Sequence, residues 1–205
     1  MSLFDGANER KRKEAEMCAA GRLPPGQSLT EKWPVLHYGT VPQVDLARWD
    51  LRVFGRVKVP LRLDWQALRA LPQRRVTSDI HCVTTWSKFD CCWEGVAASE
   101  LLQRAQPSAG ARFAMVHAEH GFSANVPLAD LLDPSALLAW SMNGEALSPE
   151  HGWPLRLVVP RLYFWKSVKW VRGIELLERD QPGFWERNGY HMRGDPWKGE
   201  RYSED

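Results

Sequence analysis

The chain has 205 residues, enough for one domain on a single core. Its 27 basic and 25 acidic residues leave a net charge of +2, spread along the sequence, which excludes a strong field for nucleic acid or an acidic membrane surface. Four cysteines, at positions 18, 82, 91 and 92, form no regular framework; adjacent Cys91 and Cys92 do not suit disulfide geometry, so reduced thiols in a cytosol are expected.

Glu9 to Ala20 reads as a short charged helix that Gly21, Pro24, Pro25 and Gly26 end, so residues 1–39 are expected to form a peripheral arm. Met1 to Glu16 has no apolar run of signal-peptide length, and the expected location is cytoplasmic. Leu51 to Val57 alternates like a half-buried strand, and Asp64 caps a helix from Trp65 to Leu71 that Pro72 closes. Val76 to Ile80 reads as a strand opening into a loop at Cys82, and Val96 to Leu102 as the start of a helix. Phe113 to Ala118 is a further strand, Leu128 to Leu132 a short helix, and Leu137 to Met142 a strand ending at the Asn143-Gly144 turn. Leu155 to Val159 and Val168 to Leu177 are the strongest β stretches. Leu155 to Trp165 is the most apolar stretch, but Arg156, Pro160 and Arg161 break it well short of the ~20 residues of a membrane span. Residues 181–205, with Phe184, Trp185, Tyr190, Trp197 and Tyr202, read as an ordered coil wrapping a domain over residues 40–180.

Many strands, short helices and no regular βαβ alternation predict an α+β fold with a mixed or mainly antiparallel sheet. The 11 tryptophans suit core packing, with a few walling a pocket.

The motif with most chemical content is His81-Cys82-Val83-Thr84-Thr85-Trp86-Ser87, followed by Trp93-Glu94-Gly95-Val96. A thiol at the end of a strand is either a small buried hydrophobe or a nucleophile and soft metal ligand. Downstream, in order, stand Met142-Asn143-Gly144, His151-Gly152-Trp153-Pro154-Leu155-Arg156 and Lys166-Ser167-Val168-Lys169-Trp170. Together these segments resemble the sulfite oxidase family of molybdopterin oxidoreductases, and the chain's ends resemble its short cytosolic bacterial branch. The resemblance implies the sulfite-oxidase fold and a Mo-molybdopterin cofactor whose metal Cys82 binds. It implies cofactor contacts from His37, Tyr38, His81, Cys82, His117, His151, Arg156, Ser167, Val168 and Lys169. Cationic side chains suit the cofactor's phosphate, where Arg gives a two-point contact and Lys a point charge. A zinc site of His81, Cys82, Cys91 and Cys92 lacks the usual paired spacing.

At substrate positions the sequence departs from the family: Trp140 stands where sulfite oxidases place a tyrosine, Lys166 where they place an arginine, and Lys88 in a segment that carries arginine. The resemblance implies an enzyme moving an oxygen atom on a small, sulfur-containing substrate, with Cys82, Lys88, Trp140 and Lys166 catalytic. A haem or flavin protein would serve as external electron partner. A sulfoxide or N-oxide reductase similar to the methionine-sulfoxide-reducing branch is the alternative within the class. A non-catalytic module that keeps the fold and binds a partner through its tryptophans is the alternative outside it.

Overall fold

The structure, a computed structural model, describes the backbone of residues 3–205 and the side chains of residues 8–205. The first two residues of the expected arm lie outside the described residues. Along the chain run α1 (Leu3–Ala19), β1 (Ser28–Leu29), β2 (Asp50–Gly55), β3 (Leu61–Asp64), α2 (Trp65–Arg69), β4 (Gln73–His81), β5 (Trp86–Ala97) and α3 (Ala98–Ala105). Then follow β6 (Phe113–Ala118), β7 (Ser123–Pro127), α4 (Leu128–Leu131), β8 (Leu137–Met142), β9 (Glu145–Ala146), β10 (Arg156–Val158), β11 (Val171–Leu177) and α5 (Phe184–Arg187).

These strands form two sheets. A five-stranded sheet has the order β3-β2-β11-β6-β7, and β2 with β11 is its one parallel pair. In the six-stranded sheet, β5 is long enough to pair with β4 along one edge and with both β1 and β8 along the other, and only β1 runs parallel to it. The fold is therefore α+β with mixed, mainly antiparallel sheets.

Period-2 alternation sets which face each strand buries. On β2, Leu51 and Val53 point inward between exposed Arg52 and Phe54. They share one core with Val116, Ile174 and Leu176 of their own sheet, Val96, Leu138 and Leu157 of the other, and Leu101 and Leu102 of α3. Gly95 is required where β5 bulges against β8, since a Cβ there would sit 2.0 Å from the Leu138 carbonyl oxygen. A second cluster, including Ile80, Cys91, Trp93 and Val158, buries the other face of the six-stranded sheet beneath Trp33, Trp86 and Phe164.

Three expectations are corrected. Val96 and Ala97 finish β5, and the helix begins at Ala98. β11 begins at Val171 rather than Val168, because Trp170 takes φ 54°, outside strand geometry. The arm is not peripheral throughout: Ser28 and Leu29 pair with β5, and Trp33 to Thr40 contribute to the wall of the main cavity.

Candidate active site

Cys82 stands at the tip of the β4–β5 hairpin. Its N–H donates to the Trp86 carbonyl at 2.8 Å, and its own carbonyl accepts from the Thr85 N–H at 3.0 Å. Thr85 closes this tight turn at φ 72°, a rare conformation for a β-branched residue. The Cys82 thiol is buried, 3.1 Å from the Thr84 hydroxyl. Burial pushes its pKa up, opposed by the Thr84 hydrogen bond and the Arg201 charge. His81 turns away from the cavity: its Nδ1 lies 2.8 Å from Ser87 Oγ, its ring packs against Trp197, and burial pushes it down to about 4, so it is neutral. It holds the hairpin and does not reach the wall where the family resemblance would put a cofactor ligand.

Cys82 opens into a cavity of about 670 Å³ walled by the 33–40 segment, the hairpin turn, the loop after β6, the 151–170 stretch around β10, and the C-terminal segment. On this wall stand three basic side chains from one stretch. Arg156 is fully buried and donates to the carbonyls of His151 and Ser167, each at 2.8 Å, with its guanidinium 4.3 Å from the Phe164 ring centre. Its Nε is buried and without a partner among the described residues. Lys169 Nζ donates to the carbonyls of Leu36 at 2.7 Å and Glu150 at 2.5 Å. His151 stacks on Trp33 at 3.8 Å, with Nδ1 3.0 Å from Ser148 Oγ. Burial first, then mutual repulsion, lowers Lys169 to about 7 and lowers His151 as well, with Glu150 the acid opposing both; burial takes Arg156 down to about 9. Two crowded cations, Arg156 and Lys169, beside a neutral His151 and one nearby acid, with an unmet N–H among them, fit a dianionic group such as a phosphate. Ser167 and Val168 lie between them on the wall; Ser167 Oγ accepts from the Val159 N–H at 3.0 Å and the Val168 carbonyl from the Leu157 N–H at 2.8 Å, fixing the stretch to β10.

The remaining wall is aromatic. Tyr190 stacks on Trp185 at 5.1 Å and meets Trp165 edge-on at 5.0 Å; Trp185 adjoins Phe184 at 5.1 Å, and Phe184 adjoins Tyr38 at 4.7 Å. Tyr38 is 67% exposed, so these rings run from the interior to the surface. His37 bonds to the Gly39 carbonyl at 3.0 Å beside Trp170. The Tyr190 phenol is raised by burial, with Tyr202 and Cys82 adding to it, and keeps its proton.

Besides His81, four of the expected site residues stand elsewhere. Lys88 extends from β5 to the Glu31 carbonyl at 2.6 Å. His117 lies on β6, 3.0 Å from Glu175 and stacked on Phe54, outside the cavity wall. Trp140 projects to the side of β8 opposite Ala139, edge-on to Trp65 at 6.2 Å and beneath Arg69 at 4.1 Å, in a separate recess of about 240 Å³. Lys166 is fully buried against Glu186. Each is displaced by strand parity or by a tertiary partner, which position in a motif does not reveal. Conversely, Tyr190, Trp165, Trp185 and Trp33 line the cavity, and the one sequence sign of them was the surplus of tryptophan and the aromatic tail. Cys91 is fully buried in the second core cluster and pushed up to about 12 by burial, an inert thiol. Among the described residues no group of three or more His, Cys, Asp or Glu converges.

A family model described as the oxidoreductase molybdopterin binding domain matches residues 38–185. The oxidoreductase YuiH of Bacillus subtilis is 49% identical over 187 residues, covering 91% of this chain and 94% of that one. A sulfite oxidase of Arabidopsis thaliana is 30% identical over 192 residues, 76% of this chain and 49% of the relative. The protein-methionine-sulfoxide reductase catalytic subunit MsrP of Gluconobacter oxydans is also 30% identical, over 158 residues, 68% of this chain and 50% of the relative. The chain thus spans about half the length of these two. The sulfane dehydrogenase SoxCD structure from Paracoccus pantotrophus shares the fold, with a TM-score of 0.65 and 23% identity over 75% of this chain and 43% of that one.

Proposed function

Since this chain belongs to the oxidoreductase molybdopterin-binding-domain family and its cofactor is Mo-molybdopterin, we propose that it transfers an oxygen atom to or from a small sulfur-containing substrate. One observation carries the reading: a free buried thiol, Cys82, and an acid-poor basic pair, Arg156 and Lys169, with the His151 imidazole beside it, face the same cavity. Cys82 would bind the metal as thiolate, and Arg156 and Lys169 would hold the cofactor's phosphate, with His37, Tyr38, Ser167 and Val168 beside it. When bound, the cofactor supplies the two-electron chemistry of oxygen-atom transfer. Tyr190 holds a phenolic proton on the cavity wall and would donate it to the substrate oxygen, while Trp165, Trp185 and Phe184 exclude water. Residues 40–180 would form the cofactor-binding domain, with the arm and the 181–205 segment completing its walls.

Elemental analysis of protein made in a cofactor-competent host should give one molybdenum per chain, with pterin fluorescence after acid oxidation. Absence of both would leave the non-catalytic partner-binding module as the better reading.

Sulfoxide reduction is the second reading, favoured by the withdrawal of Lys166 from the cavity and by the aromatic rings near its mouth. These leave little to grip an anion and much to cover a neutral organic group. Either direction needs an external electron partner, a haem or flavin protein. No helix among the described residues is long and apolar enough to cross a membrane. A cytoplasmic setting is proposed on the cysteine spacing, which suits no disulfide framework.

A further inference from the structure

The hairpin turn that carries Cys82 is held from outside by both terminal segments. Gln27 Nε2 donates to the Cys82 carbonyl at 3.0 Å, and the Ser28 N–H donates to the Thr85 carbonyl at 2.9 Å. From the opposite end of the chain, Arg201 Nη1 donates to the Val83 carbonyl at 2.7 Å and Nη2 to the Pro25 carbonyl at 3.4 Å. The Arg201 guanidinium lies 4.9 Å from the Tyr163 ring centre, and its backbone is pinned by the Asp205 carboxylate, 2.8 Å from the Arg201 N–H. Gln27, Ser28 and Arg201 all fall outside residues 38–185, the part that matches the family model. The turn could have closed on its own Thr85–Cys82 bond, so donors from three external residues onto its carbonyls are more than the hairpin needs.

We propose that Arg201 and Gln27 are positioning residues for the Cys82 thiolate, fixing the direction of its sulfur and, through the Arg201 charge, setting the reduction potential of the bound cofactor. The inference rests on Cys82 being the metal ligand. Groups that hold a ligand's own backbone or side chain commonly change metal affinity by 10–100-fold when removed. A cation beside a metal-bound sulfur favours the electron-rich, reduced state and so raises the potential. Both effects act on the cofactor without touching substrate.

The test uses the cofactor-loaded protein and three readouts: molybdenum per chain, the Mo(V) paramagnetic resonance signal, and the midpoint potential from a redox titration. Arg201→Met should lower the one-electron reduction constant about tenfold, which is a fall of about 59 mV. Arg201→Lys keeps the charge and should restore the constant to within about threefold of the parent. Gln27→Leu should release molybdenum about tenfold faster on dialysis. Parent potential and signal in Arg201→Met at parent molybdenum content would overturn the proposal. If Arg201→Met does not fold, unchanged release and an unchanged signal in Gln27→Leu would overturn it instead. Cys82→Ser separates the two levels. An unaltered Mo(V) signal there removes the ligand assignment itself, and with it this inference. A signal altered in Cys82→Ser but not in Arg201→Met removes the positioning role alone.

Discussion

Lys166 Nζ lies 2.6 Å from Glu186 Oε1, and neither side chain reaches solvent. The ammonium also donates to Asn125 Oδ1 and to the Met192 carbonyl, each at 2.7 Å, while Glu186 accepts from Trp165 Nε1 at 2.8 Å. The pair therefore fixes a ring of the cavity wall instead of meeting substrate. Lys166→Met strands a buried carboxylate and should cost about 3–5 kcal/mol in urea unfolding, while Lys166→Met with Glu186→Leu recovers much of it. Parent stability in the single variant would return Lys166 to the list of substrate residues.

With that cation occupied, sulfite should be a poor substrate beside neutral sulfoxides. Steady-state assays with an artificial electron acceptor or donor compare them, and a sulfite kcat/KM of ~10⁶ M⁻¹s⁻¹ or more would contradict the expectation.

Cys82→Ser should abolish turnover and remove the thiolate charge-transfer bands from the visible spectrum. Cys91→Ser and Cys92→Ser should leave both, since Cys91 is core and the Cys92 backbone N–H is held by Asn143 Oδ1 at 2.9 Å in a strand position away from the cavity. Activity lost at Cys91 or Cys92 and kept at Cys82 would mean that another thiol carries the metal.

Arg156→Ala and Lys169→Ala should each weaken cofactor retention by about 1.5–3 kcal/mol, the worth of a charged hydrogen bond. Retention should also depend on pH. Lys169 in the cofactor-free protein titrates at about 7, held down by burial and Arg156 and supported by Glu150. An anion binds its protonated form, so affinity is highest below that value and falls by up to about tenfold per pH unit above it, until the higher pKa of the bound state is reached. Calorimetric titration of cofactor-free protein with sulfate, a dianion throughout this range, measures this slope, and Lys169→Met should flatten it. A flat profile in the parent would count against Lys169 as a phosphate ligand.

Tyr190→Phe should lower kcat by about 10²-fold, the lower end for losing a positioned proton donor, at unchanged molybdenum content. Trp140→Phe should change neither, because its indole lies in the recess with Trp65 and Arg69. The reverse result would restore Trp140 to the site.

The sheet class and the cofactor family were legible because they rest on local signals: alternation on β2, the Asp64 cap 2.8 Å from the Ala67 N–H, and an ordered set of motifs. β5 was less legible, since Lys88, Asp90 and Glu94 interrupt its apolar content even though Ser87, Cys91, Trp93 and Gly95 alternate inward. Within the motifs, Arg156, Lys169 and His151 converge on one wall, whereas His81, one residue before Cys82, points the other way. Trp140 failed by strand parity, and Lys166 by a partner on α5 that lies 20 residues along the chain. Tyr190 could not be placed without knowing that the C-terminal segment folds back over the hairpin.

The bonds onto the Cys82 turn differ greatly in chain distance. The hairpin closes across a few residues, but the Gln27 contact spans 55 and the Arg201 contact 118. Local loops close fast and distant ones slowly, with the entropy of the intervening chain opposing them. The turn's own bond is therefore expected to form before its outer fastenings, which would leave the Cys82 thiol less shielded until the two terminal segments dock. If cofactor enters before the outer fastenings form, refolding with cofactor present should load more protein than adding it after folding is complete.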